Sequence, residues 1–437
     1  MSPELVTLLT FGSFGLLLLA GVPLAFAALA TAALVAVTTS GTGALLLLVN
    51  RIYDTSMLYV LITVPLFILM GFVMEKADIA RSLFQVIHVW TARLPGGLAV
   101  GSVLAGAVMA AMIGIVGAEI ITLGLIALPT MLKRGYDRKL SLGTICASGT
   151  LGTMIPPSLT LIIYGLLANV SIAALFAAAL VPGLLLAASY IAYILVRCTL
   201  DPSLAPPPPL SERQAGQAER LRLAGGIVLP LLVIMAVLGS IYLGIAAPTE
   251  AAAIGVAGAL LAGVLNGKLR LRDLHEVLRD TGRAIGPVIW VVIGAGALVS
   301  VYTFTGGAQF LASAIGELPL GPMGIVACMM LVFIVLGCFM DTIGIALLTL
   351  PIFVPVVKAL GLDLVWFGVL FCMCMQFAYI SPPFGPSCFY LKSVTPPDIS
   401  IQEIFSSIWP FAALQGLNLM VLMAFPSLVL WAGRALS

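Results

Sequence analysis

The chain has 437 residues, is 61% hydrophobic and only 9% charged, and carries a net charge of +2 with a mean hydropathy of +1.19. Soluble domains hold about 25% charged residues; apolar runs recurring from Val6 to Trp431 therefore define an all-α polytopic membrane protein, and so small a charge argues for no nucleic-acid partner. The seven cysteines, scattered through apolar segments, read as packing residues, and the two histidines, His88 and His275, form no zinc-protease motif.

Taken in order, spans are predicted near 4–21, 23–48 and 57–75. Ala25-Phe26-Ala27 imitates a leader-cleavage site, but the flank carries Glu4 rather than basic residues, so two retained spans joined at Gly21-Val22-Pro23 are expected. A charged arm with Glu75, Lys76, Asp78 and Arg81 runs on to Arg93. Leu94-Pro95-Gly96-Gly97 then opens an apolar stretch to Leu132, too long for one span and interrupted at Gly114-Ile115-Val116-Gly117-Ala118-Glu119. That pattern predicts a re-entrant helical hairpin over about 97–134.

The next apolar segment, about 139–169, contains Thr150-Leu151-Gly152-Thr153-Met154-Ile155-Pro156-Pro157-Ser158. Two prolines remove two backbone donors and bar the α conformation just before them, so a discontinuous helix is expected. A span at 171–197 follows, then a linker at 198–222 with the proline run 206–209. Spans near 223–245 and 249–266, a charged arm from Lys268 to Arg283 and a span near 284–304 lead to a second hairpin at about 320–360. It is interrupted at Gly337-Cys338-Phe339-Met340-Asp341. A second discontinuous helix covers about 363–394, and a last span 404–432.

Residues 1–197 and 223–437 repeat one pattern. Pro23 and Pro248, Pro65 and Pro287, Leu94-Pro95 and Leu318-Pro319, Glu119 and Asp341, Pro129 and Pro351, Gly135 and Gly361, Asp137 and Asp363, and Pro156-Pro157 and Pro382-Pro383 all pair at offsets of 222 to 226 residues. Lys133, Arg134, Arg138, Lys139 and Arg93 put the first hairpin's base in the cytoplasm, whereas Glu317, Lys358 and Asp363 leave the second without positive excess. The repeats therefore have inverted topology, the architecture of secondary transporters whose sites lie at mid-membrane helix breaks.

Glu119 and Asp341 are the acids deep in the hairpins, and an intramembrane carboxylate is a functional candidate by default. Each reads either as a cation or proton site or as an acid capping a half-helix. Helix breaks expose carbonyls beside hydroxyls, which suits sodium. The predicted ion-binding set is Asp341, Thr342, Gly337 and Gly344 with Gly114, Gly117, Glu119, Thr150, Thr153, Tyr379 and Ser381. Tyr379 also reads as a packing aromatic, and the glycines as helix-packing positions. Half-helix N-termini after each Pro-Pro offer positive dipole ends to an anionic group, making Pro156, Pro157, Ser158, Pro382, Pro383 and Gly385 the predicted substrate-binding set. Lys392 is expected to snorkel.

The sequence resembles the large membrane subunit of tripartite ATP-independent periplasmic transporters. The resemblance rests on Val64-Pro65-Leu66-Phe67-Ile68-Leu69-Met70-Gly71, Leu94-Pro95-Gly96-Gly97, Leu132 to Asp137 and Gly149 to Ser158. In the second half it rests on Ala247 to Ala252, Phe339-Met340-Asp341 and Ser381-Pro382-Pro383-Phe384-Gly385. It implies an elevator-type, sodium-coupled importer of an organic acid in the bacterial inner membrane, needing no other cofactor. It also implies two partners, a small four-helix membrane subunit and a periplasmic substrate-binding protein. One repeat pair occupies all 437 residues, so the small subunit is expected as a separate chain. The first tip departs from the serine-rich tip of sialic-acid and dicarboxylate members. A stand-alone ion-coupled carboxylate carrier is the alternative, and an intramembrane enzyme a remote one.

Overall fold

A computed structural model describes residues 1–114, 116–206, 217–265, 267–316, 319–383 and 385–434. Ile115 of the first tip, linker residues Pro207 to Gly216, Glu317 and Leu318 of the second hairpin's base, and Phe384 lie outside the described residues. The described elements are helical, and six helices are long and apolar enough to cross a membrane, or seven if the pair bent by 41° near Ile408 counts as one span. Several further helices are apolar but shorter than a span, as half-spans must be.

The first repeat runs α1 (Pro3–Leu19), α2 (Leu24–Ser40), α3 (Leu45–Ser56), α4 (Thr63–Lys76), α5 (Ile79–Thr91), α6 (Gly97–Ile113), α7 (Val116–Lys133), α8 (Arg138–Gly149), α9 (Leu159–Ala168) and α10 (Ile172–Leu200). The second runs α11 (Gln217–Tyr242), α12 (Pro248–Leu265), α13 (Leu271–Phe304), α14 (Gly307–Gly316), α15 (Pro322–Gly337), α16 (Thr342–Ala359), α17 (Leu364–Ile380) and α18 (Pro386–Lys392). It closes with α19 (Ile401–Ser407), α20 (Trp409–Ala424) and α21 (Ser427–Arg434).

Helices α6 and α7 form one hairpin, α15 and α16 the other, and α8/α9 and α17/α18 are the two discontinuous helices. The two halves interlock crosswise. Each hairpin's first arm packs on its own repeat's pre-break helix, α6 on α8 and α15 on α17, while its second arm packs on the other repeat's post-break helix, α7 on α18 and α16 on α9. The discontinuous helices are antiparallel. Tyr164 midway along α9 donates to the Leu364 carbonyl at the start of α17 (2.7 Å), and Arg138 at the start of α8 pairs with Asp398 just past α18 (2.7 Å). The aligned acids Asp137 and Asp363 do the same local job, accepting from Leu140 N (2.8 Å) and Val365 N (2.7 Å) as N-caps of α8 and α17.

Helices α1 to α3 and α13 form a second body; α13 lies along α2 and α3 and also along α4, which shares the main core with α6, α11 and α12. Phe14, Ala28, Val35, Leu298 and Val301 form an apolar core of its own. It meets the second hairpin through a small cluster of Ala25, Val291, Ala295 and Leu347. Lys76 pairs with Glu276 (2.6 Å) and Lys268 with Asp78 (3.4 Å), so the end of α4 and the start of α5 are tied to the start of α13. These pairs are solvent-exposed, so they tie the segments together while adding little to stability.

Three boundaries differ from the sequence reading. The span expected over 23–48 stops at Ser40 because Gly41 takes a left-handed φ of 77°, and residues 45–56 form a separate helix. The arm at 268–283 and the span at 284–304 are one continuous helix, α13, despite Pro287 inside it; the 222–226 residue offset makes α14, not that arm, the counterpart of α5. The last span breaks into α19, α20 and α21, at Ser407–Trp409, where Pro410 lacks a donor, and at Phe425-Pro426. The Lys392 ammonium at the end of α18 donates to the Ile399 carbonyl and closes the loop that follows.

Candidate functional site

Both Pro-Pro bonds are cis, but the breaks they sit in are built differently. Helix α8 ends at Gly149, and Leu151–Thr153 continues as a 3-10 turn, so the chain leaves α geometry well before the prolines. In the second repeat α17 stays helical to Ile380. At the repeat offset of 226, Gly149 and Gly152 correspond to Met375 and Ala378. Glycine tolerates early unwinding at little cost, and methionine and alanine hold the helix. After the prolines, α9 has 10 residues and α18 only 7, so the helix-end field expected at both breaks is weaker at the second.

At the first break, Gly114 ends α6 at φ 62°, and a Cβ there would lie 2.6 Å from the Pro157 carbonyl oxygen. Glu119, in the first turn of α7, is fully buried. The Gly152 backbone N–H is turned towards it, yet neither carboxylate oxygen meets a donor in hydrogen-bond geometry. A Cβ on Gly152 would sit 2.5 Å from Glu119 Oε1. The hydroxyls are committed as donors: Thr150 to the Ala147 carbonyl (2.8 Å) and Ser158 to the Thr153 carbonyl (2.7 Å). A hydroxyl that gives its proton to a carbonyl keeps its lone pairs for a cation. Because Ser158 turns back in this way, α9 begins without a side-chain cap, leaving its first amides free for an anion. Pro156 and Pro157 are buried.

At the second break, Asp341 is the N-cap of α16 and accepts from Gly344 N (3.3 Å). It is exposed, and a cleft of about 10 Å³ opens between Met340, Asp341, Thr342, Ala378, Tyr379 and Pro386. That is the room one water or one desolvated ion needs. The Thr342 side chain is within hydrogen-bond reach of the Tyr379 hydroxyl. Ser381 donates to the Phe377 carbonyl (2.7 Å), and Gly385 N to the Ser381 carbonyl (2.9 Å). Pro382 is half-buried and Pro383 exposed. Thus Asp341, Thr342 and Tyr379 line one small cleft, with Gly344 behind it as the amide that Asp341 caps, whereas Glu119, Thr150, Thr153 and Ser158 are buried at the first break beside Gly114.

The close approaches are complementary. At the first break the glycine lies on the discontinuous helix (Gly152) and the side chain on the hairpin (Glu119). At the second the glycine lies on the hairpin: a Cβ on Gly337 would overlap the Cβ of Ala378. Gly337→Ala is therefore expected to destabilise the folded chain by about 1–3 kcal/mol. Adding Ala378→Gly should recover part of that loss, less the cost of a helical glycine, about 1 kcal/mol. Thermal unfolding of the purified chain checks this; no loss from the single change would mean that tip and break do not touch.

Several contacts among the described residues join the two breaks. Thr153 Oγ1 is 2.7 Å from Gln376 Oε1, Cys146 Sγ is 4.0 Å from the Ser387 carbonyl, and a Cβ on Gly117 would lie 3.2 Å from the Tyr390 ring. Gln376 and Tyr390 were not among the sequence-predicted site residues. For Gln376 the signal was there, a lone amide in the apolar run Leu364–Ile380; for Tyr390 there was none, because its partner belongs to the other repeat.

Comparison with known proteins agrees with this architecture. A sequence profile of the family described as "Tripartite ATP-independent periplasmic transporter, DctM component" matches residues 11–428. The C4-dicarboxylate TRAP transporter large permease protein DctM of Pseudomonas aeruginosa is 32% identical over 79% of this chain and 80% of its own length. The ectoine/5-hydroxyectoine TRAP transporter large permease protein UehC of Ruegeria pomeroyi is 33% identical over 75% of this chain and 76% of its own. Among solved structures, the Alcanivorax borkumensis YdaH transporter, described as having an unusual topology, superposes with a TM-score of 0.60 at 15% identity, covering 87% of both chains.

Proposed function

The chain belongs to the DctM component family of tripartite ATP-independent periplasmic transporters, and from that premise we propose that it imports an organic carboxylate together with sodium. A member of this family is the multi-pass large permease of the inner membrane and works with a small membrane subunit and a periplasmic binding protein. The binding protein would deliver the substrate, and the permease would move it.

The observation that carries the reading is the pair of facing breaks, each closed by a glycine-bearing hairpin tip. Sodium takes hard oxygens, and the opening at Asp341, Thr342 and Tyr379 offers a carboxylate and hydroxyls around a space of ionic size. At the first break, lone pairs of Thr150 and Ser158 and the Glu119 carboxylate supply the same chemistry. The uncapped start of α9 at Ser158 supplies the anion site, with Pro157 beside it and Pro382, Pro383 and Gly385 on the opposing break. The relatives named for C4-dicarboxylates and for ectoine are named for carboxylates, which favours that substrate class. The body of α1 to α3 and α13 meets the second hairpin at a small seam of Ala25, Val291, Ala295 and Leu347 and is the candidate scaffold for an elevator movement, with α4, α11 and α12 sharing the hairpins' main core.

Uptake by proteoliposomes holding this chain, its small partner and the loaded binding protein should require an inward sodium gradient. Equal rates with and without the gradient would remove the coupling, and full uptake without the binding protein would favour a stand-alone carrier.

A further inference from the structure

Beyond the hairpin tips, a buried polar file crosses the molecule. Thr153 at the first break, Gln376 of α17, Tyr190 of α10 and Gln415 of α20 have at most 1% of their surface exposed. Gln415 Nε2 donates to the Tyr190 hydroxyl (2.8 Å), and that hydroxyl is also within hydrogen-bond reach of Gln376. Thr153 Oγ1 lies 2.7 Å from Gln376 Oε1 and 3.0 Å from the Thr150 carbonyl, while Gln376 Nε2 has no partner.

A threonine hydroxyl has one proton and cannot donate to both oxygens. Exchanging the amide N and O of Gln376, which are told apart only by their bonding, resolves both faults at once. Nε2 then donates to Thr153 Oγ1, Thr153 donates to the Thr150 carbonyl, and Tyr190 donates to Gln376 Oε1. The donors then run in one direction, from Gln415 Nε2 through Tyr190, Gln376 and Thr153 to a carbonyl of the first break, with Gln415 Oε1 at the head of the file left without a partner.

We propose that Gln376 is a positioning residue: through Thr153 it sets the geometry and polarity of the first helix break from the second repeat, so that cation binding at the first break depends on α17, α10 and α20. This rests on the sodium reading above. Because a buried polar group costs free energy unless partnered, removing one member should expose its neighbours and couple their losses.

The test uses sodium alone as the probe. The full chain is melted in detergent with sodium chloride titrated against choline chloride, for wild type, Gln376→Met, which keeps the volume without hydrogen bonds, and Tyr190→Phe. The relay predicts that both variants need about tenfold more sodium for half the stabilisation; a merely packing role predicts a lower melting temperature with the sodium midpoint unmoved, and that result overturns the proposal. If wild type shows no sodium shift, the sodium reading fails instead, and a cycle of Thr153→Val and Gln376→Met decides the relay. The double variant losing no more than the worse single supports it, and additive losses refute it.

Discussion

Asparagine at position 341 is expected to cut sodium-driven uptake by about a hundredfold or more while moving the thermal midpoint by no more than about two degrees. Asp341 does two things that the substitution separates. As N-cap of α16 it accepts from Gly344 N, and asparagine caps a helix about as well as aspartate. As a carboxylate beside Thr342 and Tyr379 it supplies the negative charge that a cation needs, and asparagine does not. A hundredfold loss corresponds to about 2.7 kcal/mol, within reach of one charge-assisted ligand bond. Alanine at 341 should lose the cap as well, about 1 kcal/mol of stability. Uptake and melting measured side by side decide the matter. Wild-type uptake by the asparagine variant, with unchanged sodium dependence, would leave Asp341 as a cap and nothing more.

Alanine at position 114 is expected to abolish uptake and to destabilise the first hairpin. Two independent costs meet there. At φ 62° an L side chain is strained by about 1–2 kcal/mol, and its Cβ would press to 2.6 Å on the Pro157 carbonyl. Neither side can yield cheaply, since Pro157 is buried at the break and Gly114 terminates the arm. The tip must lift away from Pro157, which disturbs the buried Glu119 and Thr150 at that break. Gly12→Ala, whose Cβ would meet nothing within 4 Å, is the matched control and should be neutral in melting and uptake. Equal behaviour of the two variants would show that the first tip does not rest on its break.

The two breaks and hairpins were legible because their signals are local. Consecutive prolines end a helix wherever they fall, and Gly114 or Gly337 in an apolar run marks a tip without reference to the rest of the chain. The double role of Asp341 was legible only as a choice, since the same residue before Thr342 and Gly344 reads as a cap or as a ligand. The continuity of α13 was not legible, because charge at 268–283 suggests a separate arm although the helix has no reason to stop there.

By itself, then, the sequence determined the membrane class, the order of elements and the inverted pairing of Glu119 with Asp341 and of Pro156-Pro157 with Pro382-Pro383. Periodicity, hydropathy and proline chemistry act over a few residues and can be read without the fold. Only the tertiary structure decided which site is closed and which is open, that Glu119 lies without a hydrogen-bond partner against Gly152, and that Gln376 reaches Thr153. Those facts depend on side chains separated by tens to hundreds of residues meeting at distances of a few ångströms. The crosswise docking of each hairpin on the opposite repeat sets those distances, and no local pattern encodes it.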